Sequence, residues 1–268
     1  KGGRFDFMKS KKWIKVWVVV IMIVPILGVF NYLIDPYELY DAKYFTFEKK
    51  VEHKMRLIKS IKLKKIKPAS ITLGTSRTEG GYDPTHQYFI KPSYNSALPG
   101  SSIYESRLLF EEALKQGNLR KVLLVADFIM FSGLRDPAGD IETYFKDTNI
   151  YSYLFSIDMT KSSLLTIKGL NTPYIRYFAN GQRAHEYLYG KDLIFPGHQE
   201  LFNNEAKGIY NKHNNTDNYT YINTDLNSFE DFKKIVEQCY ENNIELDIIF
   251  GPSHILLWEA FDYKKSFN

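Results

Sequence analysis

The chain has a single cysteine, Cys239, among its 268 residues. One cysteine excludes an internal disulfide framework and any zinc site of the paired CxxC type. Glycine and proline are also scarce, at 16 and 10 residues, which excludes collagen-like and low-complexity sequences. With 44% hydrophobic and 25% charged residues, the composition is that of a packed globular chain, one large domain with appendages.

Signatures of nucleotide and metal binding are missing as well. Neither GxxxxGK(S/T), the pattern of a phosphate-binding loop, nor GxGxxG occurs in the sequence. Four histidines lie in polar segments without the spacing of metal ligands: His53, His185, His198 and His213. A net charge of +4 is too small to indicate nucleic-acid binding by itself. We therefore expect no cofactor, no bound metal and no nucleic-acid partner.

The longest apolar stretch lies near the N-terminus, where residues 16–30 read VWVVVIMIVPILGVF without one charge. At about 1.5 Å per residue, a helix over residues 13–34 crosses a hydrocarbon layer of ~30 Å. Trp13, Trp17 and Tyr32 lie near its two ends, as aromatic residues do at membrane interfaces. The alternative is a buried helix of a soluble protein, but such a helix normally has a polar face. The stretch therefore predicts a single transmembrane anchor.

The orientation of this anchor follows from the basic residues around it. Residues 1–12 form a basic tail, and the excess of lysine and arginine before the apolar stretch favours a cytoplasmic N-terminus. A cleavable signal peptide fits less well, because the apolar run is long and no small-x-small site follows it. The sequence thus predicts a single-pass membrane protein whose main domain lies outside the cytoplasm.

Residues 35–69 connect the anchor to the rest of the chain. Val51, Met55, Ile58 and Ile61 recur at helical spacing, while lysine and arginine occupy many of the remaining positions. One interpretation is an amphipathic helix docked on the main domain. The other is a basic surface that binds anionic lipid headgroups or an anionic envelope polymer.

Beyond residue 69, strand patterns alternate with helical ones. The apolar runs predict three buried strands, over 70–73, 121–126 and 245–250. Amphipathic patterns predict helices over 102–116 and 229–241. This alternation indicates an α/β domain over residues 70–268 with an open parallel sheet. Residues 132–224 are rich in Asn, Tyr and Asp with weak periodicity, so we expect them to form an insertion or cap.

Functional side chains of an open parallel sheet collect where its strands end. The first predicted strand runs into Gly74-Thr75-Ser76-Arg77, which can present the Ser76 hydroxyl and nearby backbone N–H groups to one point. An acyl-transfer nucleophile beside an oxyanion hole needs this arrangement. The same residues also suit an ordinary turn, because Gly-x-Ser is a common sequence. Gly100 has two interpretations as well, a second backbone donor or the turn that leads into a helix.

Three blocks in order, ITLGTSRTEGGYDP, YNSALPGSSIYE and KVLLVADFIMF, resemble the single-pass, extracytoplasmic SGNH/GDSL-hydrolase-like proteins of bacterial envelopes. The segment NYLIDPYELY after the anchor is similar to that family too. The resemblance covers residues 13–131 and 229–257. It implies a flavodoxin-like, SGNH-type three-layer α/β/α fold with a parallel sheet. It also implies an esterase or acyltransferase of the bacterial cell membrane that acts on O-acyl esters of carbohydrates, lipids or envelope polymers.

The resemblance assigns roles to individual residues. Ser76 falls on the family's nucleophile and Gly100 on its oxyanion glycine, while Arg77 and Asn95 stand in the same blocks as oxyanion or supporting residues. The family's third block usually ends in Gly-x-Asn-Asp, whose Asn is another oxyanion donor, but this chain has Asp127 after the strand. A carboxylate there would repel a developing oxyanion. We therefore expect Asp127 to orient Arg77 or the Ser76 loop rather than to act in catalysis.

The family's late Asp-x-x-His, which supplies the general base and its orienting carboxylate, has no counterpart after the last predicted strand. The only literal match, Asp83 to His86, begins seven residues beyond Ser76, and we interpret it as a turn. His254 follows the strand over 245–250 and is either a substitute base or a substrate-binding or structural residue. We also expect the domain to be incomplete at its C-terminus, with the family's Asp-x-x-His beyond Asn268.

Two function hypotheses follow from these patterns. The first is a membrane-anchored acyl esterase or O-acyltransferase acting on a cell-envelope glycan or polymer, with Ser76 and His254 as catalytic residues. The second is a non-catalytic envelope polysaccharide binding or assembly protein on a degenerate form of the same scaffold. It would hold an anionic polymer or a polysaccharide-export partner through the basic surface of residues 49–67 and the Tyr-rich insertion. The missing Asn of the third block and the missing late Asp-x-x-His favour the second.

Overall fold

The computed structural model describes residues 7–42, 44, 54–131, 141–145, 149–170, 175–184, 197, 199–200, 202–204, 206–208, 226–256 and 258–259. Much of the predicted insertion at 132–224 and residues 1–6 of the predicted basic tail lie outside these ranges. The chain divides into two compact units. The first comprises Lys1–His53 and Asn149–Thr172, and the second comprises Lys54–Thr148 and Pro173–Asn268. Part of the predicted insertion therefore belongs to the same unit as the N-terminal helix.

The described helices and strands follow one another along the chain. They are α1 (Phe7–Ile34), α2 (Met55–Ile66), β1 (Ser70–Leu73), α3 (Ser76–Gly81), β2 (Ser93–Asn95), α4 (Ile103–Lys115), β3 (Lys121–Ala126), α5 (Ile141–Phe145), α6 (Ile157–Gly169), α7 (Leu226–Glu241) and β4 (Glu245–Phe250). Two 3-10 helices, Phe128–Phe131 and Ile150–Phe155, precede α5 and α6 respectively. Strands thus alternate with helices in the second unit, as the sequence predicts.

The first unit is built on α1. From Trp13 to Ile34 this helix has 22 residues and is long and apolar enough to cross a membrane by length and composition. An α-helix satisfies its backbone hydrogen bonds internally, so its side chains alone meet the surroundings. Most side chains of this stretch are exposed rather than packed into a core. This is the helix that the sequence predicts over residues 13–34.

Residues 149–170 pack against the C-terminal end of α1 within the first unit. Asn149 caps the 3-10 helix by accepting from Tyr151 N–H, and Ser156 caps α6 by accepting from Met159 N–H. The buried side chains of α6 are mostly small and polar: Met159, Ser162, Ser163 and Thr166. This helix was not predicted from the sequence. A buried helix face is normally recognised by a stripe of apolar residues, and the buried face of α6 is mostly polar.

The second unit contains a four-stranded sheet in the order β2-β1-β3-β4, with every pair parallel. Ser70 pairs with Lys121, and Lys121 pairs with Glu245, so the strands end at a common carboxyl edge. The three predicted strands have the predicted bounds. The α/β class with a parallel sheet is therefore confirmed. Strand β2 was not predicted, because three residues are too few to show a period.

The two central strands and α4 form the core of this sheet. Every residue of β1 and β3 is buried. Helix α4 begins with a capping box, in which the Ser102 hydroxyl accepts from Glu105 N–H and the Glu105 carboxylate accepts from Ser102 N–H. It then buries Leu109, Phe110 and Ala113. The helix predicted over 102–116 is thus found with its ends shifted by one residue.

Strand β4 differs from the prediction in its burial. The sequence ELDIIF predicts a strand buried on both faces, yet none of its six residues is buried and Phe250 is 78% exposed. Within the described ranges β4 pairs with β3 alone, which makes it an edge strand. An apolar run predicts a strand but does not say what covers it, so this part of the prediction is wrong.

Helix α2 packs against α4 and α5 within the second unit, in agreement with the first interpretation of the basic segment. Leu57, Ile58 and Leu63 are among its buried residues. Two cations of the predicted basic surface are used internally, because Lys59 is fully buried and Arg56 forms an ion pair with Glu105. The basic-surface interpretation is therefore wrong for Lys59. Residues 49–53 of that surface lie outside the described chain.

Candidate functional site

The parallel strands all end at the carboxyl edge of the sheet. The order of the strands sets the order in which the residues that follow them lie along this edge. Ser76 begins the helix after β1, Asp127 directly follows β3, and His254 lies in the loop after β4. Because β3 lies between β1 and β4, Asp127 lies between the other two positions. Neighbouring strands are about 4.8 Å apart, so β1 and β4 are separated by roughly 10 Å.

Ser76 is the first residue of α3 and is exposed. The chain reaches this position through Gly74, whose φ is +151°. A Cβ at Gly74 would lie 2.1 Å from Thr78 Oγ1 and 2.8 Å from the Val125 carbonyl oxygen, so only glycine fits. This close packing lets α3 start immediately beyond β1. It thereby places the Ser76 side chain at the sheet edge.

Asp127 contacts the residues on both sides of Ser76. Its side chain is fully buried, and Oδ2 accepts a hydrogen bond from the Thr75 hydroxyl. Arg77 Nη2 lies 3.3 Å from Oδ1. A carboxylate that holds the preceding residue and pairs with the following one restrains the backbone of Ser76 between them. These are the contacts that the structural interpretation of Asp127 requires.

Gly251 closes the loop after β4 over Asp127. Its N–H donates to the Ala126 carbonyl oxygen at 3.1 Å. A Cβ at Gly251 would lie 2.3 Å from Asp127 Oδ1, so any larger residue collides with the carboxylate. Gly251 directly follows the strand predicted over 245–250, and no other role was predicted for it from the sequence. Its position at the carboxyl end of a strand, the same edge at which Asp127 was expected, could have indicated that the two residues are close.

Arg77 connects the loops that follow β1 and β4. Its Nη1 donates to the Pro252 carbonyl oxygen at 2.7 Å and to the Ser253 hydroxyl at 2.6 Å. The Arg77 side chain is 38% exposed, so its positive charge is partly open to solvent beside Ser76. The roles of Thr75 and Ser253 were not predicted, since nothing in a lone hydroxyl residue signals its partner.

His254 is exposed at the same edge but is not joined to Ser76. Its Nδ1 accepts from Leu256 N–H at 3.2 Å, and its ring meets the Phe202 ring edge to face, with centroids 5.1 Å apart. Neither contact involves Ser76, which follows a strand two places away. The assignment of His254 as a substitute base therefore stays a prediction.

The single Asp-x-x-His of the chain forms a turn, as predicted. His86 N–H donates to the Asp83 carbonyl oxygen, and the Asp83 carboxylate accepts from both the N–H and the hydroxyl of Thr85. Burial acts to raise the pKa of Asp83, but these hydrogen bonds hold that pKa below its ordinary value. The Asp83 carboxylate is thus bonded within its own turn.

Asn95 and the loop that contains Gly100 lie beside the Ser76 turn. The buried Asn95 amide donates to the carbonyl oxygens of Thr78 and Tyr82 at 3.1 and 2.9 Å, which ties α3 to β2. Leu98 N–H donates to the Gly74 carbonyl oxygen at 3.0 Å. Gly100 itself has a φ of +65° in an exposed turn, which suits its turn interpretation. Its role as an oxyanion donor stays a prediction.

A buried ion pair joins α3 to α2. Lys59 Nζ is 2.8 Å from Glu79 Oε1, both side chains are fully buried, and Lys59 also donates to the Ala97 carbonyl oxygen. Lys59 falls within the predicted basic surface of residues 49–67, and no role was predicted for Glu79. The overlooked signal is the spacing of Lys59, four residues from Met55 and from Leu63, on the apolar face of α2.

The comparisons with known proteins add no relative to this description. The chain matches no protein-family model, no curated protein and no solved structure. Among the residues that the structure describes, no group of three His, Cys, Asp or Glu side chains is placed to hold a metal ion.

Proposed function

We propose that the chain is a membrane-anchored, SGNH-like acyl esterase or O-acyltransferase that acts on a glycan or polymer of the cell envelope. In this proposal Ser76 is the nucleophile and the α/β domain has the flavodoxin-like, three-layer form. The observation that carries the proposal is the position of Ser76, exposed at the carboxyl edge between two residues that contact one buried carboxylate. Hydrolases of α/β architecture present their nucleophile on such a strand-to-helix turn.

The proposed chemistry is attack of the Ser76 hydroxyl on an acyl carbonyl carbon. The serine proton passes to a base, the C–O bond of the ester breaks, and the alcohol leaves with a proton. Water or a glycan hydroxyl then takes the acyl group from Ser76. Backbone N–H groups near Ser76 and at Gly100 hold the oxyanion. The charge of Asp127 is offset by Thr75 and Arg77, which reduces its repulsion of that oxyanion.

We assign the base role to His254. Its neighbour Ser253 accepts a hydrogen bond from Arg77, so the loop of His254 is already joined to the residue after Ser76. The imidazole still has to approach Ser76, because their strands are about 10 Å apart. Catalytic hydrogen bonds often tighten only when substrate binds.

The proposal places the protein in a bacterial cell membrane as a single-pass protein. The N-terminus lies in the cytoplasm and the α/β domain outside it. Helix α1 supports this placement by its length and composition. The basic residues that precede the apolar stretch support the orientation.

The test compares the full chain in detergent with its Ser76→Ala variant on p-nitrophenyl acetate and on an O-acetylated envelope glycan. We expect Ser76→Ala to lower turnover by about 10³-fold or more, as removal of a nucleophile does. Ser93→Ala, at the first residue of β2 and therefore at the amino end of the parallel strands, serves as the matched control and keeps its activity. Turnover that survives Ser76→Ala contradicts the proposal.

The second candidate is a non-catalytic protein that binds an anionic envelope polymer. The observation that favours it is the absence of a Ser76–His254 contact, together with a half-exposed Arg77 at the edge. In this case the chain retains the polymer at low ionic strength and releases it as salt rises, and Ser76→Ala has no effect. Loss of binding only in the Arg77→Ala variant would place the polymer at this edge.

A further inference from the structure

Helix α6 buries small and polar side chains and exposes most of its large apolar ones. Its buried residues are Met159, Ser162, Ser163 and Thr166. Its exposed apolar residues are Ile157, Leu164, Leu165 and Ile167, which are 40–73% exposed, and the charged Asp158, Lys161 and Lys168 are exposed on the same side. A surface helix of a soluble protein turns its apolar side toward the core. Burial of small and polar side chains with apolar ones outside is the pattern of helices that pack in lipid.

The polar side of α6 is used in contacts with α1. Asn31 of α1 is fully buried, and its amide donates to the Leu154 carbonyl oxygen at 2.8 Å and to the Thr160 hydroxyl at 2.9 Å. The Ser163 hydroxyl donates to Asn31 Oδ1 at 2.9 Å. Asparagine, serine and threonine join membrane helices by hydrogen bonds of this kind. The association therefore does not depend on burying the apolar side of α6.

The 3-10 helix before α6 lies along the apolar part of α1. A Cβ at Gly28 would lie 2.7 Å from the Phe155 ring, so this ring packs directly on the helix backbone. Gly28 is six residues before the end of α1 at Ile34, which corresponds to about 9 Å along the helix axis. Phe155 is itself 57% exposed. Its exposed surface is thus continuous with the apolar surface that would face lipid.

We propose that residues 149–170 lie in the bilayer interface, on the side of the membrane where α1 ends, with the apolar side of α6 facing the acyl chains. The proposal rests on the proposed role of α1 as a membrane anchor and goes beyond the chemistry at Ser76. Ile157 and Leu164, seven residues apart, share one side of α6. Lys161 and Lys168 are exposed next to them, where their charges reach lipid phosphates while their stems lie on apolar surface.

The experiment measures the surroundings of a nitroxide attached to α6. The full chain carries Cys239→Ala, which removes its only cysteine, and Leu164→Cys supplies the labelling site. It is reconstituted in vesicles of phosphatidylcholine and phosphatidylglycerol. Molecular oxygen concentrates among acyl chains and a nickel chelate stays in water, so the two collision rates distinguish lipid from solvent. Val24→Cys in α1 is the lipid control, and Tyr240→Cys in α7, 86% exposed, is the water control.

We expect the ratio of oxygen to nickel collisions at position 164 to exceed that at position 240 several-fold and to approach that at position 24. A water-like ratio at 164 with a lipid-like ratio at 24 overturns this proposal and leaves the anchor in place. Water-like ratios at both positions overturn both. Few collisions with either reagent at 164 mean that protein covers the site, from a second copy or another part of the chain, and this overturns the proposal too.

A second label guards against a local effect of the first. Ile157→Cys lies on the same side of α6 and gives the same ratio if the helix is intact. Disagreement between positions 157 and 164 overturns the proposed placement of α6. Neither measurement depends on ester turnover, so a failure here is distinct from a failure of the chemistry proposed for Ser76.

Discussion

Two ion pairs of opposite character hold α3. The Lys59–Glu79 pair is fully buried on both sides, whereas the Arg77–Asp127 pair combines a buried carboxylate with a guanidinium that is 38% exposed. The first is closed off from water and ties α3 to α2. The second opens at the edge of the sheet and reaches the Ser253 hydroxyl. The same pairing of charges thus serves the fold in one place and the candidate site in the other.

The physical difference between the pairs is what happens when one partner is removed. A fully buried charge that loses its counter-ion stays in a medium that solvates it poorly. Near the surface, water replaces the lost partner, so an exposed pair contributes little to the free energy of unfolding. We therefore expect the Lys59–Glu79 pair to govern stability and the Arg77–Asp127 pair to govern the geometry at Ser76.

The largest expected effect follows from Lys59→Met. Because this variant leaves Glu79 charged and fully buried, we expect the free energy of unfolding to fall by about 3–5 kcal/mol. Urea unfolding followed by circular dichroism measures it. Lys64→Met on the same helix, where the lysine is only half-buried, is the control and changes stability by about 0.5 kcal/mol or less.

A double variant sharpens this result. Lys59→Met combined with Glu79→Leu removes both charges, so it recovers most of the loss of the single variant. Glu79 Oε2 accepts no hydrogen bond within the described chain, which makes an apolar replacement less costly. If the double variant is less stable than Lys59→Met alone, desolvation of the remaining carboxylate is not the cause.

An intermediate effect is expected at Gly251, where the open pair meets the loop after β4. Gly251→Ala drives a Cβ to 2.3 Å from Asp127 Oδ1, so the loop or the carboxylate has to move. We expect a loss of about 1–3 kcal/mol, as for other overpacked sites. Gly81→Ala is the control, since a Cβ there meets nothing within 4 Å. Equal stability of the two variants would show that the loop is not packed on Asp127.

The smallest effect on stability is expected from Arg77→Ala. The Asp127 carboxylate is buried, but it keeps its hydrogen bond from Thr75, and water can enter the space left by the half-exposed guanidinium, so we expect a loss of about 1 kcal/mol or less. The same variant frees the backbone on one side of Ser76 and the loop of His254. We expect kcat for ester hydrolysis to fall by up to about 10²-fold, because catalysis is sensitive to ångström-scale misplacement. A stability loss as large as that of Lys59→Met, or unchanged kcat, would remove the distinction between the two pairs.

Much of the sheet could be predicted because its strands carry their own signals. Continuous apolar runs identified β1, β3 and β4. The same runs gave no information on neighbours, so the exposed edge position of β4 was missed. Strand β2 was missed because three residues are too few to show a period. Helix α6 was missed because its buried face has no apolar stripe.

The candidate site could be predicted only in outline. The position of Ser76 follows from a strand end, which local sequence identifies. The contacts of Asp127 with Thr75 and Arg77 depend on the pairing of β1 with β3, two strands about fifty residues apart in the chain. A lysine such as Lys59 is predicted to lie on the surface unless its position on the apolar face of α2 is taken into account. The local positions could therefore be predicted, and the contacts that depend on long-range strand pairing could not.

The nucleophilic role of Ser76 is tested most directly by covalent labelling. The full chain in detergent is treated with a fluorophosphonate, which reacts with activated serines, and peptide mass spectrometry locates the adduct. The account predicts one adduct at Ser76, absent from Ser76→Ala and slowed in Arg77→Ala. An adduct at another serine, or no adduct in a folded chain that hydrolyses ester, would contradict it.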